Sequence, residues 1–211
     1  MPLIEKKHKD KFTFALWKVD EDLSFFMDKI KPVEEEENLL SRLKPKRALE
    51  WYASRYLLAL LHGKKDRVPV SKDKSGKPFF ANEKTKISIS HSGDLVTACI
   101  SLSDTGIDVQ LISEKVIKIK EKFLSEAELR FCDNDILCLN RMWTIKEAVY
   151  KAYGKKGLIF KENIRIPYFF KDKNGYIADA KVKTKDNNIL YHIYTYDYEK
   201  AILSIAIEHN K

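Results

Sequence analysis

Asp108 and Gln110 lie two residues apart in the short stretch Ile107-Asp108-Val109-Gln110-Leu111. In a β-strand that spacing sends both side chains from one face and leaves Ile107, Val109 and Leu111 for the core. Glu147 and Lys151 are four apart within Trp143 to Lys151. On a helix they stand side by side, with Trp143 one turn earlier. One carboxylate from a strand and another from a helix, with positions open to water and phosphate oxygens, is how proteins commonly hold magnesium. His91 follows the alternating Ile87-Ser88-Ile89-Ser90 and precedes Ser92-Gly93, so imidazole and hydroxyl donors gather where an anion could approach. Each feature alone has a plainer reading. Glu147 and Lys151 could be a surface helix pair worth ~0.3–0.5 kcal/mol. His91 could be an ordinary turn residue, and Trp143 reads as core rather than as a ligand-stacking ring.

The elements that must position these residues can be read from periodicity and punctuation. Phe12 to Val19 predicts a strand with Phe12, Phe14 and Leu16 on one face, and the acidic run Glu34 to Glu37 opens a helical stretch. Pro45 fits the first turn of a helix that runs to about His62 and ends at Gly63, carrying Arg47 and Arg55 two turns apart. Ser75-Gly76-Lys77-Pro78 is a turn. Ile87 to Ser90 and Leu95 to Leu102 form a hairpin joined by His91-Ser92-Gly93-Asp94, with Ile107 to Leu111 as a third strand of one compact β unit. Lys115 to Phe123 reads as helix, Ser125-Glu126-Ala127-Glu128 as a capping box, and Ile136 to Tyr153 as a long helix ended by Gly154. The remainder is β: Asn163 to Phe170, Tyr176 to Thr184, Ile189 to Tyr196 and Ala201 to Glu208, with a tight turn at Asn174-Gly175. The order predicts α/β or α+β layers in two lobes, 1–105 and 106–211.

Composition bounds the function. The 211 residues carry 44% hydrophobic and 33% charged side chains with seven Gly and six Pro, an ordered globular composition. No apolar run approaches the roughly 20 residues of a membrane helix, and the Lys-rich N-terminus lacks an apolar segment behind it, so a cytoplasmic protein is expected. Cys99, Cys132 and Cys138 are odd in number and form no CxxC pair, which predicts three reduced thiols and no zinc site. The net charge of +8 favours an anionic partner, whether nucleotide, nucleic acid or acidic protein.

Gly76-Lys77-Pro78, Ile87-Ser88-Ile89-Ser90-His91-Ser92, Gly106-Ile107-Asp108-Val109-Gln110, Phe123-Leu124-Ser125-Glu126-Ala127-Glu128 and Trp143-Thr144-Ile145-Lys146-Glu147-Ala148-Val149-Tyr150-Lys151 follow one another at characteristic spacings. That ordered set strongly resembles the 4′-phosphopantetheinyl transferases of the surfactin-synthetase-activator type. The motifs cover residues 76 to 154, and Arg47 with Ala53-Ser54-Arg55 resembles the family's N-terminal helix. The resemblance implies a monomer of two similar, pseudo-symmetric α/β lobes, each a small β-sheet packed with helices, with coenzyme A between them and magnesium on its pyrophosphate. It implies transfer of phosphopantetheine to a serine of an apo acyl or peptidyl carrier protein, the holo-acyl-carrier-protein synthase reaction. By the same resemblance His91 and Arg55, with Arg47, match positions that bind the 3′-phosphate, and Lys77 and Ser90 match other nucleotide contacts. Asp108 and Glu147 match metal ligands, with Gln110 standing where many relatives carry an acidic residue. Lys151 matches a residue near the pyrophosphate. Glu147 is the preferred general base and Lys151 the competing one. Phe123, Leu124 and the helices from Lys115 to Asn140 offer a surface for the carrier.

Three rival readings stand beside this one. A metal-dependent nuclease or phosphatase would also employ Asp108, Glu147 and His91. A nucleic-acid-binding module would draw on the positive charge and the aromatic residues, although the lysines are dispersed and no nucleic-acid motif is present. A catalytically inactive relative that binds coenzyme A is the third, because Gln110 removes one carboxylate.

Overall fold

The computed structural model describes residues 3–64, 67–81 and 83–209. The chain divides into two units, Met1–Leu102 and Ser103–Lys211, and each is built on its own antiparallel sheet. The architecture is mixed α/β, with helices packed against both sheets.

The first unit begins with a hairpin of β1 (Leu3–Lys9) and β2 (Phe12–Lys18). Two short helices, α1 (Leu23–Lys29) and α2 (Glu34–Leu40), precede the 18-residue α3 (Pro45–His62). Then come β3 (Val70–Lys72), β4 (Pro78–Phe80), β5 (Lys86–Ser92) and β6 (Leu95–Ser101). The sheet order is β1-β2-β6-β5-β4-β3. Pro45 starts α3 because its missing N–H needs no partner there. The apolar face of α3, through Trp51, Tyr52, Leu58 and Leu61, packs with Ala15, Trp17, Ile87 and Ala98 into one core. β2 has Phe12, Phe14 and Leu16 buried as its alternation predicts, and Ala15 and Trp17 are buried as well. It is therefore covered on both faces.

The second unit opens with β7 (Thr105–Leu111), followed by α4 (Lys115–Phe123), α5 (Glu126–Cys132) and the 18-residue α6 (Ile136–Tyr153). The one-turn α7 (Phe160–Asn163) leads into β8 (Ile164–Arg165), β9 (Phe169–Asp172), β10 (Gly175–Lys183), β11 (Asn188–Asp197) and β12 (Ala201–Glu208). The strands run β7-β12-β11-β10-β8, with β9 also on β10. Leu139, Met142, Ile145, Ala148, Val149 and Ala152 on α6 belong to a core that includes Ala180, Ile193 and Ala206 of the sheet. Among the described residues no helix is long and apolar enough to cross a membrane.

Lys146 has no exposed surface, yet its ammonium is fully occupied. It donates to Glu128 Oε2 and the Phe123 carbonyl, both at 2.8 Å, and to the Ile164 carbonyl at 3.0 Å. Glu128 is the residue that closes the capping box on Ser125, accepting from its backbone N–H at 2.8 Å, and it also accepts from the Ile166 N–H at 3.0 Å. Burial pushes the lysine pKa down while Glu128 resists that shift. One buried ion pair thus joins α5, α6 and the start of β8.

Several expectations are corrected. Ile107 to Leu111 does not extend the β5–β6 hairpin; β7 pairs with β12 in the other sheet, Asp108 opposite Ser204. His91 lies inside β5, opposite Val96, and only Gly93-Asp94 forms the connection. Cys132 and Cys138 form a disulfide with a Cα separation of 5.3 Å, and buried Cys99 lies outside it. Left-handed Asp133 and Asn134 fold the end of α5 back onto the start of α6, a juxtaposition that an odd cysteine count cannot reveal. Asn163 to Phe170 is broken into α7, β8 and β9, while β1, α1, β3 and β4 had no strong periodic signal.

Replacing Lys146 by Met leaves Glu128 as a buried charge without its counter-ion. The variant should lose about 3–5 kcal/mol of unfolding free energy, the usual cost of breaking a buried pair, measured by urea denaturation.

Candidate active site

The second unit's site depends on how closely α6 can lie on β7. A Cβ on Gly106 would stand 1.9 Å from the Ala148 carbonyl oxygen and 2.4 Å from the Ala152 nitrogen. Glycine is therefore required for the helix backbone to approach the strand. Residues 106, 108 and 110 share one face of β7 by its period of two, so the helix that rests on Gly106 also covers Asp108.

That seating brings Lys151 to the strand. Its Nζ donates to Asp108 Oδ1 at 2.7 Å and to the Ile107 carbonyl at 3.0 Å. Asp108 is 2% exposed, and Lys151 is half-buried. Glu147, one turn earlier on α6, is also half-buried. Burial first, and the negative charge of Asp108 second, push its pKa from 4.5 to about 7, with Lys151 opposing the shift. The two carboxylates therefore sense each other across a poorly solvated space. Gln110 is half-buried and faces Ile202 across the β7–β12 ladder. Trp143 stacks edge-on against Phe123 at 5.0 Å and leans on Phe160 at 6.0 Å, which gives it a packing role.

Among the described residues no three His, Cys, Asp or Glu side chains gather at metal-binding range. The donor set on β7 and α6 is instead two carboxylates and one amide. This fits magnesium, which takes few protein ligands and fills the rest of its octahedron with water and phosphate oxygens. It does not fit zinc, which wants nitrogen and sulfur donors. The like charges that raise the pKa of Glu147 are also what a divalent cation would compensate.

The first unit holds a separate polar cluster. Arg47 Nη1 donates to His91 Nε2 at 2.9 Å and to Glu50 Oε2 at 2.9 Å, and His91 Nδ1 lies 3.6 Å from Glu50 Oε1. Arginine has no acceptor, so His91 Nε2 must accept and its proton resides on Nδ1, facing Glu50. Glu50 was missed by sequence reasoning, although its i, i+3 spacing from Arg47 on α3 could have revealed it. Ser90, 6% exposed, precedes His91 on β5. Lys77 closes a turn in which the Asp73 carboxylate accepts from the N–H groups of Ser75 and Lys77 at 2.8 and 2.9 Å.

Arg55, grouped with Arg47 and His91 by resemblance, makes its contacts elsewhere in the unit. It lies over the Trp51 ring at 4.6 Å and donates to Ser54 Oγ at 3.1 Å. It lines two cavities whose described walls contain none of Arg47, Lys77, Ser90 and His91. Eight helical residues leave a rotation of about 80° between positions 47 and 55, enough to turn them toward different neighbours.

Residues 104–206 match the family model described as the 4′-phosphopantetheinyl transferase superfamily. The chain is 35% identical over 125 residues to the 4′-phosphopantetheinyl transferase gsp of Aneurinibacillus migulanus, covering 57% of this chain and 50% of that protein. It is 29% identical over 105 residues to a Haemophilus influenzae protein provisionally named a 4′-phosphopantetheinyl transferase, covering 46% of this chain and 44% of that protein. The chain thus spans about half the length of the curated relatives it matches. The matched stretch 104–206 contains β7 and α6, the two elements that carry Asp108, Glu147 and Lys151.

The raised pKa of Glu147 has a thermodynamic consequence. Between pH 4.5 and about 7 the folded protein holds a proton that the unfolded chain has released, so stability falls as pH rises through that window. Urea midpoints measured in EDTA should decline across it. The Glu147→Gln variant should show a shallower decline over the same interval.

Proposed function

We propose that this protein transfers the 4′-phosphopantetheine group of coenzyme A to a serine hydroxyl of an apo acyl or peptidyl carrier protein. The observation that carries the reading is the pairing of Asp108 with Lys151 beside the high-pKa carboxylate of Glu147, within the stretch that matches the superfamily. Phosphoryl transfer requires positioning and neutralisation of charge more than covalent help from the protein. Two carboxylates and an ammonium suit that task.

In this reading Asp108 and Glu147, with Gln110, would hold magnesium, which supplies positive charge to the pyrophosphate when bound. Lys151 contributes an ammonium that can turn from Asp108 toward the phosphate oxygens. Glu147 takes the serine proton directly or through a water, using a carboxylate oxygen that the metal leaves free. The serine oxygen forms a bond to the β-phosphorus as the bond to the bridging oxygen breaks. Adenosine 3′,5′-bisphosphate leaves with the displaced electron pair. Arg47, His91, Lys77 and Ser90 of the first unit are assigned to the nucleotide, with Arg47 and His91 on its 3′-phosphate. A dianionic phosphate would compete with Glu50 for both. The lysines of α4 and the Phe123-Leu124 corner suit an acidic helical partner.

The test is the intact mass of an apo carrier incubated with the protein, coenzyme A and magnesium. A gain of one phosphopantetheine group is expected, with EDTA abolishing it. Asp108→Ala and Glu147→Ala should each reduce the rate by about 10²–10³-fold, the scale of losing one electrostatic group at a reacting centre. No gain across several carriers, accompanied by nuclease activity, would reject the reading.

Gln110 gives a second, finer test. An amide can ligate magnesium or hold one of its waters but brings no charge, so Gln110→Glu should lower the magnesium concentration for half-maximal rate. An unchanged requirement would remove Gln110 from the metal's surroundings.

A further inference from the structure

Three hydroxyls stand in the core of the second unit beside Asp108. Thr144 on α6, Thr195 on β11 and Ser204 on β12 are 0%, 1% and 0% exposed. Ser204 lies opposite Asp108 in the β7–β12 ladder and opposite Thr195 in the β11–β12 ladder. The three strands therefore present Asp108, Ser204 and Thr195 side by side on one face, with neighbouring Cβ atoms about 5 Å apart. Thr144 meets that row from the helix. Its Oγ1 lies 2.8 Å from Ser204 Oγ, which in turn lies 3.0 Å from Thr195 Oγ1. The direction of these bonds follows from one more contact. Thr144 donates its proton to the Arg141 carbonyl, one turn back, at 3.0 Å, and a hydroxyl has a single proton to give. Ser204 therefore donates to Thr144, and Thr195 donates to Ser204. All three hydroxyl protons are used.

A buried hydrogen bond adds little net stability over aliphatic side chains of the same shape, so what the three hydroxyls contribute is direction. Gly106 sets how deeply α6 lies on β7, and Ile145, Ala148 and Val149 join the core through apolar contacts that have no preferred direction. Lys146 anchors the far side of the helix to α5 and β8. Thr144 anchors the near side to the strand next to Asp108, by a bond that weakens steeply when its partners are displaced. Thr144, Glu147 and Lys151 follow one another at spacings of three and four on α6, so a slide of the helix that strains the first displaces the other two. We propose that Thr144 is a positioning residue: through Ser204 it sets the axial register of α6 on the sheet, and with it the places of Glu147 and Lys151 relative to Asp108. The effect on rate rests on the transferase reading above. The effect on the Asp108–Lys151 pair rests on geometry alone.

The test compares three variants of the full chain. Thr144→Ser keeps the hydroxyl, Ser204→Ala breaks the bond from the sheet side, and Thr144→Val/Thr195→Val/Ser204→Ala makes the whole network apolar. Removing every partner of a buried network together is nearly neutral for stability, so urea midpoints should fall in Ser204→Ala and return close to the wild-type value in the triple variant. The hydrogen-bond coupling between ¹⁵Nζ of Lys151 and ¹³Cγ of Asp108 should be present in the wild type and in Thr144→Ser and absent from the other two. In the carrier assay those two should lose about 10²-fold in kcat, the scale of a misplacement of about 1 Å, with KM for coenzyme A unchanged, while Thr144→Ser stays near wild type. The proposal is overturned if Ser204→Ala or the triple variant keeps either the coupling or the wild-type kcat, if the wild type lacks the coupling, or if Thr144→Ser behaves as the apolar variants do. Should the triple variant not fold, Ser204→Ala decides alone. A wild type that modifies no carrier would reject the function proposed above and leave the coupling to decide this inference.

Discussion

The close approach of α6 to β7 governs the second unit. At Gly106 the helix backbone occupies the space where a side chain would begin, so the separation between helix and strand is set by backbone atoms rather than by compressible side chains. Once that distance is fixed, Lys151 reaches Asp108 and the Ile107 carbonyl together. A wider separation would leave Asp108 buried on the strand with its counter-ion a turn of helix too far away. Burial of Asp108 and presence of Lys151 are thus one condition, because a nearly inaccessible carboxylate persists in a folded chain only when it is paired.

Electrostatics then separates the roles of the two carboxylates. Asp108 takes the lysine, while Glu147 bears both desolvation and the negative charge of Asp108. The result is a carboxylate paired with an ammonium beside one whose pKa is pushed up to about 7. In the first unit the same logic works with different parts. Glu50 pairs with Arg47 and lies 3.6 Å from His91 Nδ1, so one acid on α3 links the helix to β5.

Much of this was legible in the sequence where local rules dominate. The long helices end at Gly63 and Gly154 and begin close to Pro45 and Asp135, since caps and breakers act over a few residues. The capping box at Ser125 was readable for the same reason. Pairing between distant strands was not: nothing in Ile107 to Leu111 says that its partner is Ala201 to Ile207 rather than the hairpin immediately before it. Nor could the cysteine count foresee two left-handed residues returning Cys138 to Cys132. Asp108, Glu147 and Lys151 were identifiable as candidates by spacing, but the ion pair between strand and helix needed the fold. The placement of Arg55 depended on the rotation of α3 and on a cavity formed by residues far along the chain.

The dipeptide Lys146-Glu147 shows how finely α6 divides its work. Successive helical residues point about 100° apart. Lys146 therefore enters the interior to meet Glu128 and the carbonyls of Phe123 and Ile164, and Glu147 turns toward Asp108. The lysine's partners hold α5 and the start of β8 against the helix, and the disulfide at Cys132 and Cys138 closes the same corner. Rotational freedom of α6 about its axis is removed on that side by a buried charge. On the other side the contact at Gly106 fixes its depth. The direction of Glu147 is consequently determined by groups that never need to touch a substrate, and a change at Glu128 would be felt at Asp108 through the orientation of a single helix.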